Sequence, residues 1–251
     1  MLKVIKEMEK NIEKEIKKLM TVDVAEVYSP QRVTLEARKH GLKPGEAMDL
    51  TTGWDFRQQE HRELAEKYVE ELKPLLLIGS PMCTMFSRLQ TLSGWSDKKE
   101  ERWVDAKEHI KFVIKLYEKQ MAGGRLFLHE HPASATSWKL DEVQKVMKIV
   151  GVKVVEADQC MYGLKTRGEK GQGEVAAKKT TKFMTNSSGL AEELTKKCDK
   201  GHAHQQLMDG RANVAARYPP GLCRAICRGI IKEKKRRKGG LMPLMRVEAK
   251  T

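Results

Sequence analysis

The sequence lacks long hydrophobic runs, a regular cysteine pattern and internal repeats. Its longest apolar runs, such as residues 74–78, are far shorter than the ~20 residues that a membrane-spanning helix needs, so we expect no membrane segment. We also recognise no signal peptide at the start of the chain. The five cysteines are odd in number and irregularly spaced. This argues against a disulfide scaffold and for an intracellular, reducing compartment, either nucleus or cytoplasm.

What the sequence does contain is a large share of charged residues with an excess of basic ones. Its 251 residues include 48 Lys+Arg and 34 Asp+Glu, for a formal net charge of +14, and 40% of them are hydrophobic. This length and hydrophobic share suit one α/β domain, or at most two small ones, with a real core. The positive charge favours an acidic partner, most simply nucleic acid, although it can equally serve solubility.

The two ends of the chain differ from the part between them. Residues 1–21 predict an amphipathic helix, because apolar residues recur about every 3.6 positions. In residues 231–251 basic residues dominate, and we expect a disordered tail that contacts phosphates non-specifically, or a solvated end. Residues 22–230 remain as the α/β domain.

Within that domain, short apolar segments alternate with helical ones, a pattern typical of a mostly parallel sheet with helices on both faces. Strands are predicted near 24–28, 45–50, 75–79, 125–129, 152–157 and 182–185, and helices near 30–40, 61–72, 102–121 and 140–150. The Gly/Lys-rich segment 165–180 predicts a mobile surface loop. Ligands in such sheets bind beyond the carboxyl ends of the strands, near the point where the strand order switches.

Two residues that directly follow predicted strands are candidates for chemistry. Cys83 lies in a Gly/Pro-containing loop, and a helix predicted just after it would lower the pKa of the thiol and favour a nucleophilic thiolate. The alternative is a small buried hydrophobic residue. Glu130, between His129 and His131, suits a general acid, a hydrogen-bond donor or a metal ligand, or is simply a polar strand end.

Four ordered motifs resemble the DNA cytosine-5 methyltransferase family, especially its compact phage-like and mobile-element-borne members. They are GSPMCTMFS at 79–87, FLHEHP at 127–132, DQCMYGL at 158–164 and KKTTKFMTN at 178–186. The first is similar to the family's catalytic-cysteine motif and the second to the strand that ends in its catalytic glutamate. The resemblance spans about residues 22 to 230.

The resemblance implies a Rossmann-like methyltransferase fold, S-adenosylmethionine as methyl donor and DNA as partner. Cys83 would attack C6 of a cytosine that has left the helix stack, and Glu130 would hydrogen-bond its N3 edge. Asp49 would bind the ribose hydroxyls, Asp55 the adenine amino group, and Tyr28 to Pro30 the methionine part. The full set of implied cofactor contacts is Tyr28, Ser29, Pro30, Asp49, Asp55, Ser80 and Pro81. The implied substrate contacts are Ser87, Arg167, Thr185 and Asn186, the last two approaching the site from the late strand.

The sequence departs from the family pattern in several places. The glycine-rich cofactor loop after the first strand is absent, and Tyr28-Ser29-Pro30 stands there instead. Met82, Thr84 and His131 replace residues typical of the family. The family's arginine motif is missing, and Arg167 is a speculative substitute for it. The possible recognition segment, 186–215, is short. These departures favour an alternative function: an inactive nucleic-acid-binding module that retains the fold, derived from a mobile-element polyprotein.

Cysteine and histidine also occur at metal-ligand spacing. Cys198, His202 and His204 form a weak zinc candidate, and they are otherwise phosphate contacts or exposed loop residues. Cys223 and Cys227 have the spacing of one helix face, which is more typical of a core. A third functional hypothesis, a zinc-dependent hydrolase or deaminase, would use the triplet His129, Glu130 and His131.

Overall fold

The computed structural model describes residues 22–87, 90, 94, 96–169, 173–207, 211 and 215–238. The predicted N-terminal helix at 1–21 and the last part of the predicted tail, 239–251, lie outside the described residues. Elements are numbered below in chain order over the described part.

The described part of the chain contains eight strands and six α-helices. The strands are β1 (Val24–Val27), β2 (Pro44–Met48), β3 (Leu76–Gly79), β4 (Leu126–Pro132), β5 (Lys153–Asp158), β6 (Lys165–Arg167), β7 (Glu174–Ala176) and β8 (Thr180–Thr185). The helices are α1 (Val33–Lys39), α2 (Gln59–Leu72), α3 (Asp97–Ala122), α4 (Asp141–Met147), α5 (Ser188–Glu193) and α6 (Pro220–Lys238). All six strands predicted from the sequence are confirmed, with ends shifted by a few residues.

Six strands form one sheet in the order β2-β1-β3-β4-β8-β5. The pairs β1–β2, β1–β3 and β3–β4 are parallel, whereas β8 is antiparallel to both β4 and β5. The predicted α/β class with a mostly parallel sheet is therefore confirmed. The chain runs from β1 to β2 on one side and then places β3 on the other side of β1, which makes the β1–β3 boundary the point where strand order switches.

Helices cover both faces of this sheet because successive strand residues point to opposite sides. Ala25, Leu77 and Phe127 pack with residues of α2, α3 and α4 in one core cluster. Their neighbours Val24, Leu76 and Leu126 pack with residues of α1, α5 and α6 in a second cluster. The predicted two-sided packing is confirmed.

Local chemistry defines where the helices begin. The Ser96 hydroxyl accepts from the backbone N–H of Lys99 at the start of α3, and the Ser187 hydroxyl accepts from that of Leu190 at the start of α5. Serine satisfies an otherwise unpaired helical N–H at these positions. No helix in the described ranges is both long and apolar enough to cross a bilayer.

Two segments have more regular structure than the sequence suggested. The predicted loop 165–180 contains β6 and β7, which pair as an antiparallel hairpin. Residues 231–238, assigned from their charge to a disordered tail, form the last two turns of α6. Glu233 explains the error, because its buried carboxylate accepts hydrogen bonds from the Ser187 hydroxyl and the Gly189 N–H and so fixes this basic stretch to α5.

Candidate functional site

A cavity of about 610 Å³ opens where the carboxyl ends of β1 to β4 meet, beside the switch in strand order. This is the position expected for a ligand site in an open α/β sheet, and the volume lies within the range of small-molecule pockets. Nine of the residues predicted for catalysis or cofactor binding line it: Tyr28, Ser29, Pro30, Asp49, Asp55, Ser80, Pro81, Cys83 and Glu130.

Cys83 reaches the cavity on a loop that is fixed at several points. Gly79 ends β3 beneath α3, where an added Cβ would overlap the Tyr117 hydroxyl and lie 2.6 Å from Val113 Cγ2, so only glycine fits. The Ser80 hydroxyl is hydrogen-bonded to the buried Tyr218 hydroxyl at 2.5 Å. These contacts fix the start of the loop that carries the thiol.

The electrostatic surroundings of Cys83 differ from the prediction. Only a three-residue 3₁₀ turn, Thr84–Phe86, follows it, rather than an α-helix that would stabilise a thiolate. Burial raises the pKa of the Cys83 thiol, and the nearby carboxylate of Glu130 raises it further, while the Lys179 ammonium lowers it. The free site consequently holds a thiol at neutral pH, and the predicted activation by a helix N-terminus is wrong.

Glu130 is buried at the carboxyl end of β4 beside a lysine. Lys179 Nζ lies 3.3 Å from Glu130 Oε1, and Gln159 Nε2 lies 3.5 Å from the same oxygen. Gln159 Nε2 also donates to Thr181 Oγ1 at 2.9 Å. A carboxylate, an ammonium group and a thiol thus share one partly dehydrated corner of the cavity.

The two histidines that flank Glu130 have structural partners. His131 Nε2 lies 2.9 Å from the Pro81 carbonyl oxygen and must donate to it, so Nδ1 accepts from the Ser137 hydroxyl at 2.5 Å. His129 is fully buried beneath α3, with Nδ1 3.1 Å from the Tyr117 hydroxyl. Burial lowers the pKa of both imidazoles, which keeps them neutral. Neither histidine groups with Glu130 as metal ligands among the described residues.

The loop after β1 has a glycine-like backbone without a glycine. Tyr28 has φ of 57°, in the left-handed region that disfavours side chains with a Cβ. Its ring packs 4.6 Å from the ring of Phe56, and its hydroxyl is hydrogen-bonded to His109 Nδ1 at 2.9 Å. The turn thus has a backbone conformation that favours glycine, and an aromatic side chain occupies part of the cavity wall.

A buried carboxylate beneath this loop holds it in shape. Glu26, in the middle of β1, is fully buried. Its Oε1 accepts from the backbone N–H groups of Arg32 and Thr34 and from the Thr34 hydroxyl, and its Oε2 accepts from the Ser29 hydroxyl at 2.7 Å. Ser29 lines the cavity, but its hydroxyl is hydrogen-bonded to Glu26 and stabilises the loop.

The two aspartates predicted to hold the cofactor have unequal surroundings. Asp49 Oδ1 accepts from the backbone and the hydroxyl of Thr51, and no hydrogen bond from a described residue reaches Oδ2. Asp55 instead forms a bidentate ion pair with Arg57. Arg57 Nε donates to Asp55 Oδ1 at 2.9 Å and Nη2 donates to Oδ2 at 2.7 Å, and this pairing lowers the pKa of the Asp55 carboxyl. Asp49 Oδ2 is therefore available to accept a hydrogen bond from a ligand. Asp55 could do so only by giving up hydrogen bonds to Arg57.

Four predicted substrate residues lie outside the cavity lining. Thr185 pairs with Leu128 at the far end of β4, and its hydroxyl donates to the Phe127 carbonyl. Asn186 is hydrogen-bonded to the backbone of Phe127 and Arg125. Because β8 runs antiparallel, its end lies at the sheet edge opposite the site, so the predicted approach of these two residues is wrong. The other two are Ser87, after the 3₁₀ turn, and Arg167, exposed on β6.

The reversed strand also explains a residue that sequence reasoning missed. Lys179 precedes β8, and the start of an antiparallel strand lies at the same edge as the ends of its parallel neighbours. It belongs to the KKTTKFMTN motif, so a correct strand direction would have identified it. Arg32, Arg217 and Tyr218 also line the cavity. No motif indicated them.

The cysteine-histidine pairs have different outcomes. Cys198, His202 and His204 come together away from the cavity lining, joined by Cys160, which had not been predicted. Cys223 and Cys227 are buried in the core along α6, where burial raises the pKa of each thiol to about 12.

No protein-family model matches the chain, and the search of curated proteins returned no match.

Proposed function

We propose that the protein transfers a methyl group from S-adenosylmethionine to C5 of cytosine in DNA, through a covalent adduct with Cys83. The observation that carries the proposal is the convergence of Cys83, Glu130 and Lys179 on one cavity at the carboxyl edge of the sheet. The reversed β8 between β4 and β5 is compatible with the Rossmann-like methyltransferase fold that the motifs imply.

In this proposal, Cys83, Glu130 and Lys179 each act on a different part of the reaction at one cytosine. Cys83 Sγ bonds to C6 of the flipped cytosine, and its proton passes to the Glu130 carboxylate. The resulting carboxylic acid donates to N3, which disperses the negative charge that develops on the ring and leaves C5 nucleophilic. Once C5 has taken the methyl group, S-adenosylhomocysteine leaves. Water accepts the C5 proton, and the electron pair of the C5–H bond forms the C5–C6 double bond and expels Sγ as a thiolate. The proton on N3 returns through Glu130 to Sγ, which restores the thiol. Lys179, whose charge already lowers the pKa of Cys83, assists the first step.

The cavity suits the donor, which when bound supplies the methyl group to C5. Its volume of about 610 Å³ suits a ligand of that size, and Asp49 Oδ2 is available to accept from a ribose hydroxyl. Arg32 lines the cavity beside Ser29 and Pro30, and its buried Nε has no partner among the described residues. A buried unpaired guanidinium nitrogen suits the carboxylate of the methionine part.

The basic residues of the cavity suit a polyanion. Arg32, Arg57, Arg217 and Lys179 all line it, and the whole chain carries +14. Phosphates that neutralise such residues release counterions, so we expect DNA binding to weaken steeply with salt.

The test is methyl transfer from labelled S-adenosylmethionine to double-stranded DNA by the purified full chain. Cys83→Ala should abolish transfer, and Glu130→Gln should reduce it by at least about 100-fold, the scale of acid–base catalysis. Cys227→Ala removes a thiol from the core rather than the cavity, and should keep activity. Transfer that survives in Cys83→Ala would rule out the covalent mechanism.

A second candidate, a nucleic-acid-binding module without catalysis, is favoured by the Asp55–Arg57 ion pair and by the Tyr28 ring in the cavity wall. Both reduce the room and the polar groups available to a cofactor. Calorimetric titration separates the two functions. Salt-sensitive DNA binding without any binding of S-adenosylmethionine would support the module and contradict the enzyme.

A further inference from the structure

Outside the cavity, two cysteines and two histidines bring four metal-ligating atoms together. Cys160 lies on the 3₁₀ turn that follows β5, and Cys198, His202 and His204 lie on the segment after α5. One ligand atom from each residue falls within 4.8 Å of all the others. Cys160 is far from the other three residues in the sequence. The cluster therefore depends on the tertiary fold and not on the spacing of residues along one helix or strand.

Two distances within the cluster match those of a tetrahedral metal centre. Cys198 Sγ lies 3.8 Å from His202 Nε2 and 3.4 Å from His204 Nε2. With Zn–S near 2.3 Å and Zn–N near 2.0–2.1 Å, a tetrahedral zinc ion would hold such atoms about 3.6 Å apart. The two measured distances lie on either side of that value.

The backbone around the cluster is arranged to support a thiolate ligand. The Lys200 N–H lies 3.3 Å from Cys198 Sγ, and the Cys198 N–H donates to Asp158 Oδ2 at 2.9 Å. Asp158 also accepts from the Thr180 hydroxyl. Hydrogen bonds of this kind orient ligands and are typical of the surroundings of bound metals.

We propose that Cys160, Cys198, His202 and His204 bind one Zn²⁺ ion. Two cysteines and two histidines fill all four positions of a tetrahedral ion, so no position is left for water or substrate, and the site is structural. The thiolate and imidazole set favours zinc over magnesium or calcium, which prefer oxygen ligands.

The ion would fasten the segment after α5 to the carboxyl end of β5. That segment continues to Gln205, whose N–H donates to the Ala176 carbonyl of the β6–β7 hairpin at 2.9 Å. Further along the chain, Arg217 and Tyr218 line the cavity. The zinc ion would therefore fix the position of the segment after α5, which precedes the cavity-lining residues Arg217 and Tyr218 in the chain.

The test begins with metal analysis of the full chain, purified under reducing conditions after growth with added zinc. We expect one zinc per chain. Replacement by Co²⁺ should give the visible absorption and thiolate charge-transfer bands of a tetrahedral cobalt centre with two sulfur ligands. Cys198→Ser and His204→Ala should lower the bound metal at least tenfold. Cys223→Ala, a thiol in the α6 core, should leave it at one per chain.

Two further results decide the matter if a variant fails to fold. Removal of metal from the wild-type chain with a chelator should lower its thermal unfolding temperature, and added zinc should restore it. Less than about one zinc per ten chains, or full zinc content in a folded Cys160→Ala/Cys198→Ala double variant, would overturn the proposal. So would a Cys160–Cys198 disulfide that persists under reducing conditions, since it would consume both thiols.

Discussion

His131 holds the loop that carries Cys83, because its Nε2–H donates to the Pro81 carbonyl at 2.9 Å while Nδ1 accepts from the Ser137 hydroxyl. The end of β4 is thereby joined to the loop after β3. His131 thus has a definite structural role, which is to position the neighbouring strand end.

Replacing His131 with asparagine should weaken this connection. The shorter amide cannot span from Pro81 to Ser137, and leaving a buried carbonyl or hydroxyl unsatisfied costs about 1–3 kcal/mol. We expect the free energy of unfolding in urea at pH 7 to fall by that amount. His40→Asn, at the partly exposed C-cap of α1, is the matched control and should change stability by less than about 0.5 kcal/mol. Equal effects of the two variants would contradict this role.

Stability should decrease as the pH is lowered from about 7 to 5, near the usual histidine pKa. Burial lowers the pKa of His129 and His131 in the folded protein, so the unfolded chain binds protons first as pH drops below about 6.5. The free energy of unfolding then decreases until the pH reaches the folded pKa of each group. Urea titrations at several pH values measure the slope. His129→Phe, which removes one of the two groups, should make the slope shallower, and an unchanged slope would refute the assignment.

The reactivity of Cys83 should report on its charged neighbours. Because Glu130 raises the pKa of the thiol and Lys179 lowers it, Glu130→Gln should speed alkylation by iodoacetamide at pH 7, and Lys179→Met should slow it. A change of one pKa unit corresponds to about a tenfold change in thiolate. Peptide mapping by mass spectrometry isolates Cys83 from the other thiols. Glu71→Gln, exposed at the end of α2, should leave the rate unchanged. Slower alkylation in Glu130→Gln, or faster alkylation in Lys179→Met, would contradict the electrostatic account.

Gly79→Ala should destabilise the protein by overpacking. The new methyl group would overlap the Tyr117 hydroxyl and approach Val113 Cγ2 at 2.6 Å, and strain of this kind costs about 1–3 kcal/mol. Tyr117→Phe removes the overlapping oxygen, so the double variant should lose less stability than the sum of the two single variants. Strict additivity of the unfolding free energies would show that the hydroxyl is not the obstacle.

The sequence predicted the strands, their covering helices and nine of the residues that line the cavity, because each depends on local hydrophobic pattern and on the residues directly after each strand. Cys83 and Glu130 could be placed at one edge for this reason. The direction of a strand in the sheet could not be predicted in this way, because a parallel and an antiparallel strand have the same hydrophobic pattern. The reversed β8 therefore moved Thr185 and Asn186 away from the site and brought Lys179 into it.

Other errors came from long-range contacts. Nothing near Cys160 in the sequence indicates that it meets Cys198, since their contact depends on how the segment after α5 crosses the end of β5. Likewise, the charge of residues 231–238 predicted a disordered tail where the structure has a helix. The buried Glu233 stabilises this helix through hydrogen bonds to residues at the start of α5, which are distant in the sequence. The pKa of Cys83 depends on burial and on Glu130, neither of which its neighbours in sequence reveal.

The insertion of β8 between β4 and β5 has a consequence for the order of assembly during synthesis. β5 pairs with β8 and not with β4, so a nascent chain that ends at Asp158 leaves β4 with an open edge and β5 without its partner in the sheet. Only when residues 180–185 have left the ribosome can the sheet close, and non-local pairing of this kind slows folding. Lys179 reaches Glu130 in that same event. The corner of the cavity that holds Glu130 and Lys179 is thus completed at the last step of sheet formation, and until then the unpaired edge is open to association with other chains.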